Sequence, residues 1–145
     1  MKKSFTYLFL VCVIVAVIGG YCFAEDRTID TTVIFDAVTL TNNMTATSAV
    51  INLNQRKPIG FFSLQMNLDG TGVVTSVTYQ LSNDGASFST PVGAANIVSN
   101  FTTNSGANSD GNSTYGFTPI LSKFMRILAV ATGTSVDVTG TLAIQ

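Results

Sequence analysis

From Thr31 onward the recurring pattern of apolar residues has period two, and no stretch sustains the three-to-four-residue spacing of an amphipathic helix. A chain patterned this way satisfies its backbone in sheets, so the expected fold class is all-β. The clearest strand covers 61–68, with Phe62, Leu64, Met66 and Leu68 facing one way and Phe61, Ser63, Gln65 and Asn67 the other. A second covers 73–82, setting Val73, Val77, Tyr79 and Leu81 against Val74, Ser76, Thr78 and Gln80. Asp69-Gly70-Thr71-Gly72 between them offers the positive-φ residues of a tight turn and predicts a hairpin. The C-terminus repeats the idea, with 123–131 and 135–145 flanking Thr132-Gly133-Thr134. In the last strand Val136, Val138, Leu142 and Ile144 share a face, whereas 123–131 is apolar on both faces apart from Arg126 and reads as a central strand.

Further strands are expected at 31–41 and 46–53, with a turn at Arg56-Lys57-Pro58, and weaker ones at 86–89, 95–101 and 115–118. In 31–41, Val33 and Phe35 fall on one side and Ile34, Val38 and Leu40 on the other. Eight to ten strands with a turn signal every eight to twelve residues is the spacing of an antiparallel β-sandwich of jelly-roll type, with a closed barrel as the alternative. Residues 102–116, TTNSGANSDGNSTYG, hold no apolar residue but Ala107 before Tyr115, and predict an exposed, mobile loop.

The first two dozen residues differ in kind. Met1-Lys2-Lys3, the apolar run from Phe5 to Ile18 and then Gly19-Gly20-Tyr21-Cys22-Phe23-Ala24 follow the basic, apolar and small-residue order of a secretory signal, with cleavage expected after Ala24. An uncleaved anchor is the alternative, because 5–24 is long enough to span a bilayer, and that segment would be the chain's only membrane contact. A lipidated Cys22 is disfavoured by Tyr21 directly before it. The expected organisation is a signal helix over 1–24 and one domain over 25–145, placed outside the cytoplasm or at the cell surface. Both cysteines, Cys12 and Cys22, leave with the signal, so the domain's stability has to come from packing and ladders rather than disulfides.

Without Lys2 and Lys3, five basic side chains stand against eight acidic ones, a net charge of minus three. Phosphate binding needs a dense basic face, so nucleic acid is not an expected partner. The chain has no His, and past the leader no Cys, which excludes Ser-His and Cys-His nucleophilic sites and the common zinc sites, so no enzyme and no cofactor are expected. A carboxylate pair drawn from Asp30, Asp36, Asp69, Asp84, Asp110 and Asp137 is the remaining catalytic option, although Asp69 and Asp84 sit in turn sequences that use Asp for local hydrogen bonds. Asn108, Asp110 and Asn112 are candidate calcium ligands in a stretch that lacks the EF-hand spacing and carries one full charge, so a plain polar loop is the simpler account. Three Asn-x-Ser/Thr triplets, at Asn43, Asn100 and Asn112, fit the glycosylation pattern in a chain rich enough in these residues to produce them by chance.

Tyr79-Gln80-Leu81-Ser82-Asn83-Asp84-Gly85-Ala86-Ser87-Phe88, a strand ending in a Ser-x-Asp-Gly turn with an aromatic soon after, resembles a recurring piece of discoidin-type jelly rolls. Phe124-Met125-Arg126-Ile127 is similar to a later strand of those modules; the motifs are short, and the similarity as a whole extends over about a third of the chain past the leader. The resemblance implies a jelly roll whose apical loops bind glycans or lipid head groups, although Asn83-Asp84-Gly85 is already accounted for as a turn; the candidate ligand loop site of this chain is Asn83 and Asp84 together with Tyr115 and Phe117. The chain departs from those modules in lacking tryptophan and the bridging cysteines. Tyr115, Phe117 and Phe101 offer an exposed aromatic platform for a sugar, with core packing as the ordinary fate of large aromatics.

The segment 28–41 alternates and directly follows the expected cleavage site. It can pair within its own sheet, or be donated to the open edge of a neighbouring copy, with Thr31, Val33, Phe35, Val38 and Leu40 as the assembly strand. Export, low charge and this strand together lead to an expected self-assembling β-sandwich subunit of an extracellular filament, coat or matrix. A glycan- or surface-binding module is the alternative.

Overall fold

The computed structural model describes residues 29–56 and 60–145. The expected signal segment 1–24 and the Lys57-Pro58 part of the expected turn lie outside the described residues. Nine strands and one short helix are present among those described: β1 (Asp30–Leu40), β2 (Thr45–Thr47), β3 (Ile51–Asn52), α1 (Leu53–Arg56), β4 (Phe62–Gly70), β5 (Val73–Ser82), β6 (Val98–Phe101), β7 (Asn112–Phe117), β8 (Phe124–Thr132) and β9 (Val136–Ile144). They form two antiparallel sheets, β1-β9-β4-β7 and β2-β8-β5-β6, with β3 also pairing β8. The expected β-sandwich is what forms.

The core lies between the layers and follows the alternation. Phe62, Leu64, Met66 and Leu68 of β4 and Val136, Val138, Leu142 and Ile144 of β9 are buried against Met125, Ile127, Ala129 and Ala131 of β8. β8 is central, with β5 on one side and β2 and β3 on the other, as its two apolar faces predict. Truncating one of the large buried side chains, such as Leu64, costs about 2–5 kcal/mol through lost burial and the cavity left behind.

Neither expected hairpin is one. β4 and β5 lie in different sheets, as do β8 and β9, so each glycine-rich connection arches from one layer to the other. β4 pairs with β9 and β5 with β8. Alternation gives each strand a buried face but does not say whether the next strand lies beside it or across the core. The two arches touch: the Thr71 and Gly72 N–H groups donate to the Ser135 carbonyl at 3.4 and 3.2 Å, and the Thr71 and Thr134 hydroxyls bond at 2.6 Å. This end of the sandwich is called the arch end below.

Bulges move other expected faces. Thr75 is an extra residue in β5, its hydroxyl donating to the Val130 carbonyl at 3.1 Å, and it brings Val74 onto the same buried face as Val77. β1 carries two register shifts, one on each side of Phe35, and Ala37 takes a positive φ of 46°. Phe35 thereby turns inward over Gly140, where an added Cβ would come within 3.0 Å of its ring, while Val33 is left 61% exposed. The expected shared face of Val33 and Phe35 is thus broken. The strand expected over 46–53 is interrupted at Ser48, and the one expected at 86–89 is reduced to a single bridge from Leu81 to Ser89, because local hydrogen bonds claim the turn before it. The expected loop 102–116 ends at Gly111: Asn112 to Gly116 belong to β7, paired with β4. Its polar composition reflects an edge strand with one open side.

Candidate functional site

The Ser82–Ser87 turn closes β5 at the end of the sandwich away from the arches. Asp84 Oδ1 accepts the Ser82 hydroxyl at 2.7 Å, the Ser87 N–H at 2.8 Å and the Ala86 N–H at 2.9 Å. The Ser82 hydroxyl oxygen in turn accepts the Gly85 N–H at 2.9 Å. The Ser82 hydroxyl and then the Ser87 and Ala86 amides hold the Asp84 carboxyl well below the usual carboxylate range. Asp84 is thus the centre of a self-satisfied turn. The two segments that carry the discoidin resemblance meet here: Gly85 lies against the Phe124 ring, and Arg126 sits 4.5 Å over the centre of Phe88 while donating to Gln80 Oε1 at 2.8 Å.

Tyr115 and Phe117 lie on the inner side of β7 and pack against the core. Phe117 is tilted between Phe62 and Tyr79, with ring centres 5.5 and 5.6 Å away, and Tyr115 meets Phe101 edge-on at 5.7 Å. The expected aromatic platform is thereby drawn into the sandwich. The polar loop before β7 lies at the arch end, with the Gly111 carbonyl accepting the Leu68 N–H at 3.0 Å. The Asn83-Asp84 turn lies at the opposite end, so the structure does not gather the expected loop site into one surface.

Of the candidate calcium ligands, Asp110 accepts the Asn112 N–H at 3.0 Å, and Asn112 Oδ1 accepts from Gln65 at 3.3 Å. No cluster of three or more acidic side chains is present among the described residues. Asp137, another carboxylate of the sequence analysis, accepts the Thr39 hydroxyl at 2.6 Å.

The expected assembly strand is β1, and it pairs with β9 of its own chain. Phe35 and Leu40 are buried, Val38 packs against the core, and Thr31 and Val33 are exposed. Beside it a groove of about 250 Å³ runs between β1 and the Ala49–Gln55 segment, with Val33 and Val50 exposed along it. β1 and β7 are the two edges of their sheet. One surface escaped the sequence analysis: Ile120 and the almost fully exposed Leu121 line two depressions, one of about 240 Å³ shared with Leu53 and Phe62 and one of about 200 Å³ shared with Ser82, Asn83 and Ser87 of the turn. Pro119 followed by two aliphatic residues outside any strand pattern was its only signal in the sequence.

No protein-family profile matches the chain, and no curated protein matches it in sequence. Solved structures do match in shape. The VP2 subviral particle of infectious bursal disease virus aligns with a TM-score of 0.52 at 15% identity, over 85% of this chain and 34% of that one. The SPBc2 prophage-derived protein YomS aligns at 0.43 and 11% identity, over 81% of this chain and 96% of that one. PirA aligns at 0.41 and 14% identity, over 86% and 99%. The chain spans about a third of the VP2 chain it resembles, and the likeness shows a shared β-sandwich. A discoidin-type family is not among these matches. Among the described residues no helix is long and apolar enough to cross a membrane.

Proposed function

We propose that the chain is an exported structural protein, a β-sandwich subunit that associates with copies of itself in a filament, coat or matrix outside the cytoplasm. The observation that carries this reading is the open β1-β9-β4-β7 sheet, whose two outer strands have no partner strand on their free sides among the described residues. Unpaired N–H and C=O groups along such edges are templates for another chain. The β1 side adds a partly apolar groove with Val33 and Val50 at its surface, suited to side-chain contact with a neighbour. Low charge supports close approach of like copies, since repulsion between them is small. The VP2 protein carries the same kind of sandwich in a particle, which supports the reading at the level of fold. The leader-like segment 1–24 supports export.

The test is sedimentation and electron microscopy of the protein purified after export, over a hundredfold range of concentration. Species growing beyond the monomer with concentration are expected. A strictly monomeric protein at the highest concentration overturns the reading.

A further inference from the structure

The hydrogen-bond parity of the β1-β9-β4-β7 sheet identifies which backbone groups its β7 edge leaves open. The Leu68 N–H donates to the Gly111 carbonyl, and these two residues are direct partners when the β4–β7 register is continued by one step. Even-numbered residues of β4 therefore bond to odd-numbered residues of β7. The other side of β4 agrees, since the Gln145 N–H donates to the Phe61 carbonyl, placing the odd residues of β4 on the β9 ladder. It follows that Asn112, Thr114 and Gly116 aim their N–H and C=O groups away from the sheet. The loop residue Gly106 packs directly on the Asn112 carbonyl, so among the described residues Thr114 and Gly116 are left as the open pair.

From this we infer that β7 is the edge at which two copies of the chain join, antiparallel about a two-fold axis through Tyr115, making one continuous eight-stranded sheet. This rests on the self-association proposed above and names its first contact. In that register Thr114 of each copy lies opposite Gly116 of the other, and four N–H···O bonds close the seam. Two observations favour β7 over the other edges. First, β7 has six residues with no charge, no Pro and no register shift, the devices that usually protect an edge, whereas β1 is interrupted by two bulges. β2, β3 and β6 are four residues long or shorter. Second, Gly116 has no explanation within one copy. It is not among the positive-φ glycines, and an added Cβ would meet nothing nearer than the Phe62 carbonyl at 4.0 Å. Glycine weakens a strand, and one without a local reason marks the approach of another backbone. About a two-fold axis the antiparallel pairing matches like with like, so one strand supplies both halves of the seam.

The experiment uses the wild-type protein and two variants, each purified after export, with circular dichroism to check folding and sedimentation equilibrium to measure association. Thr114→Pro removes an N–H that points outward and leaves the β4 ladder intact; the loss of two seam bonds is expected to weaken association by roughly tenfold or more. Thr114→Lys sets two like charges beside the axis at an exposed position and is expected to do the same in a salt-dependent way. As a register probe, Tyr115→Cys with Cys12 and Cys22 replaced by serine is expected to oxidise to a covalent dimer, because residues facing each other at a non-hydrogen-bonded site fall within disulfide reach. If the wild type associates and both Thr114 variants associate equally well, the β7 seam is wrong while self-association stands. A wild type that stays monomeric throughout removes both.

Discussion

The backbone N–H of Ile127 donates to the side-chain oxygen of Ser48 at 2.9 Å, at a point where the strand beside β8 has been interrupted. The Ser48 N–H donates to the Ile127 carbonyl at 2.8 Å, and its hydroxyl donates to the Ala49 carbonyl at 2.9 Å. One buried serine thus bridges β2 and β3 along the central strand, keeping that ladder satisfied through the interruption. The groove beside β1 is lined by the Ala49–Gln55 segment that follows, so Ser48 also fixes one wall of a surface assigned to association.

Ser48→Ala is expected to destabilise the domain by about 1–3 kcal/mol, because the buried Ile127 N–H loses its acceptor and no water has easy access to replace it. Ser48→Thr, which keeps the oxygen, is expected to lose less. Urea denaturation with a constant slope measures both; an alanine variant as stable as the wild type sinks the assignment.

Gly72 makes the opposite demand, for space. It is not among the positive-φ glycines, and a Cβ added there would collide with the Thr134 carbonyl oxygen and crowd the Val136 side chain at 3.0 Å. Gly72→Ala is expected to cost about 1–3 kcal/mol, since the two arches must part to admit a methyl group. The thermal midpoint checks this, and an unchanged midpoint would mean that the arches are not held in contact.

The strands were legible from the sequence because burial on one face imposes period two. β4 and β9 show it without interruption, β8 was read instead from its two apolar faces, and each was placed to within a residue or two. The pairing was not legible. Asp69-Gly70-Thr71-Gly72 suits a hairpin and an arch equally well, and only the backbone contact at Gly72 decides between them. Bulges were invisible for a related reason: Thr75 is an ordinary strand residue whose extra place shows only against Val130 of another strand. β7 was legible only in its second half: a strand was expected at 115–118, whereas Asn112 to Thr114, polar residues of an edge strand, have the composition of a loop. Of the candidate site, the Asp84 turn was readable from its local chemistry. The fates of Tyr115 and Phe117 depend on Phe101, Phe62 and Tyr79, which are distant in the chain.

Ala37 holds a left-handed backbone at φ 46° between the second bulge of β1 and Val38. A side chain pays for that conformation by roughly 1 kcal/mol, which glycine avoids, although glycine also loosens the unfolded chain. Ala37→Gly is therefore expected to leave stability unchanged or raise it by up to about 1 kcal/mol, unlike a glycine placed elsewhere in a strand. Chemical denaturation of Ala37→Gly beside Thr39→Gly provides the comparison. A loss at position 37 as large as that at position 39 would show that the bulge does not persist in solution.

The Asp84 turn ties stability to pH with a definite sign. Its carboxyl is held below the usual range in the folded protein, chiefly by the Ser82 hydroxyl and the Ser87 and Ala86 amides, and in the unfolded chain it returns to that range. A group whose folded pKa is depressed contributes stability that is complete above the unfolded pKa and is lost as pH falls through the ordinary carboxylate range toward the folded value. The wild type is therefore expected to keep its denaturation midpoint from neutral pH down to about pH 5 and to weaken steadily below about pH 4. Asp84→Asn removes the titrating group, so its midpoint is expected to lie lower at neutral pH and to change less on acidification. Ser82→Ala removes the first of the three donors and is expected to move the Asp84 titration upward, toward the ordinary range, as followed by carboxyl NMR shifts. An Asp84 that titrates at the same pH with and without the Ser82 hydroxyl would separate the turn's geometry from its charge, and the acid sensitivity of the domain would then have to arise at other carboxylates.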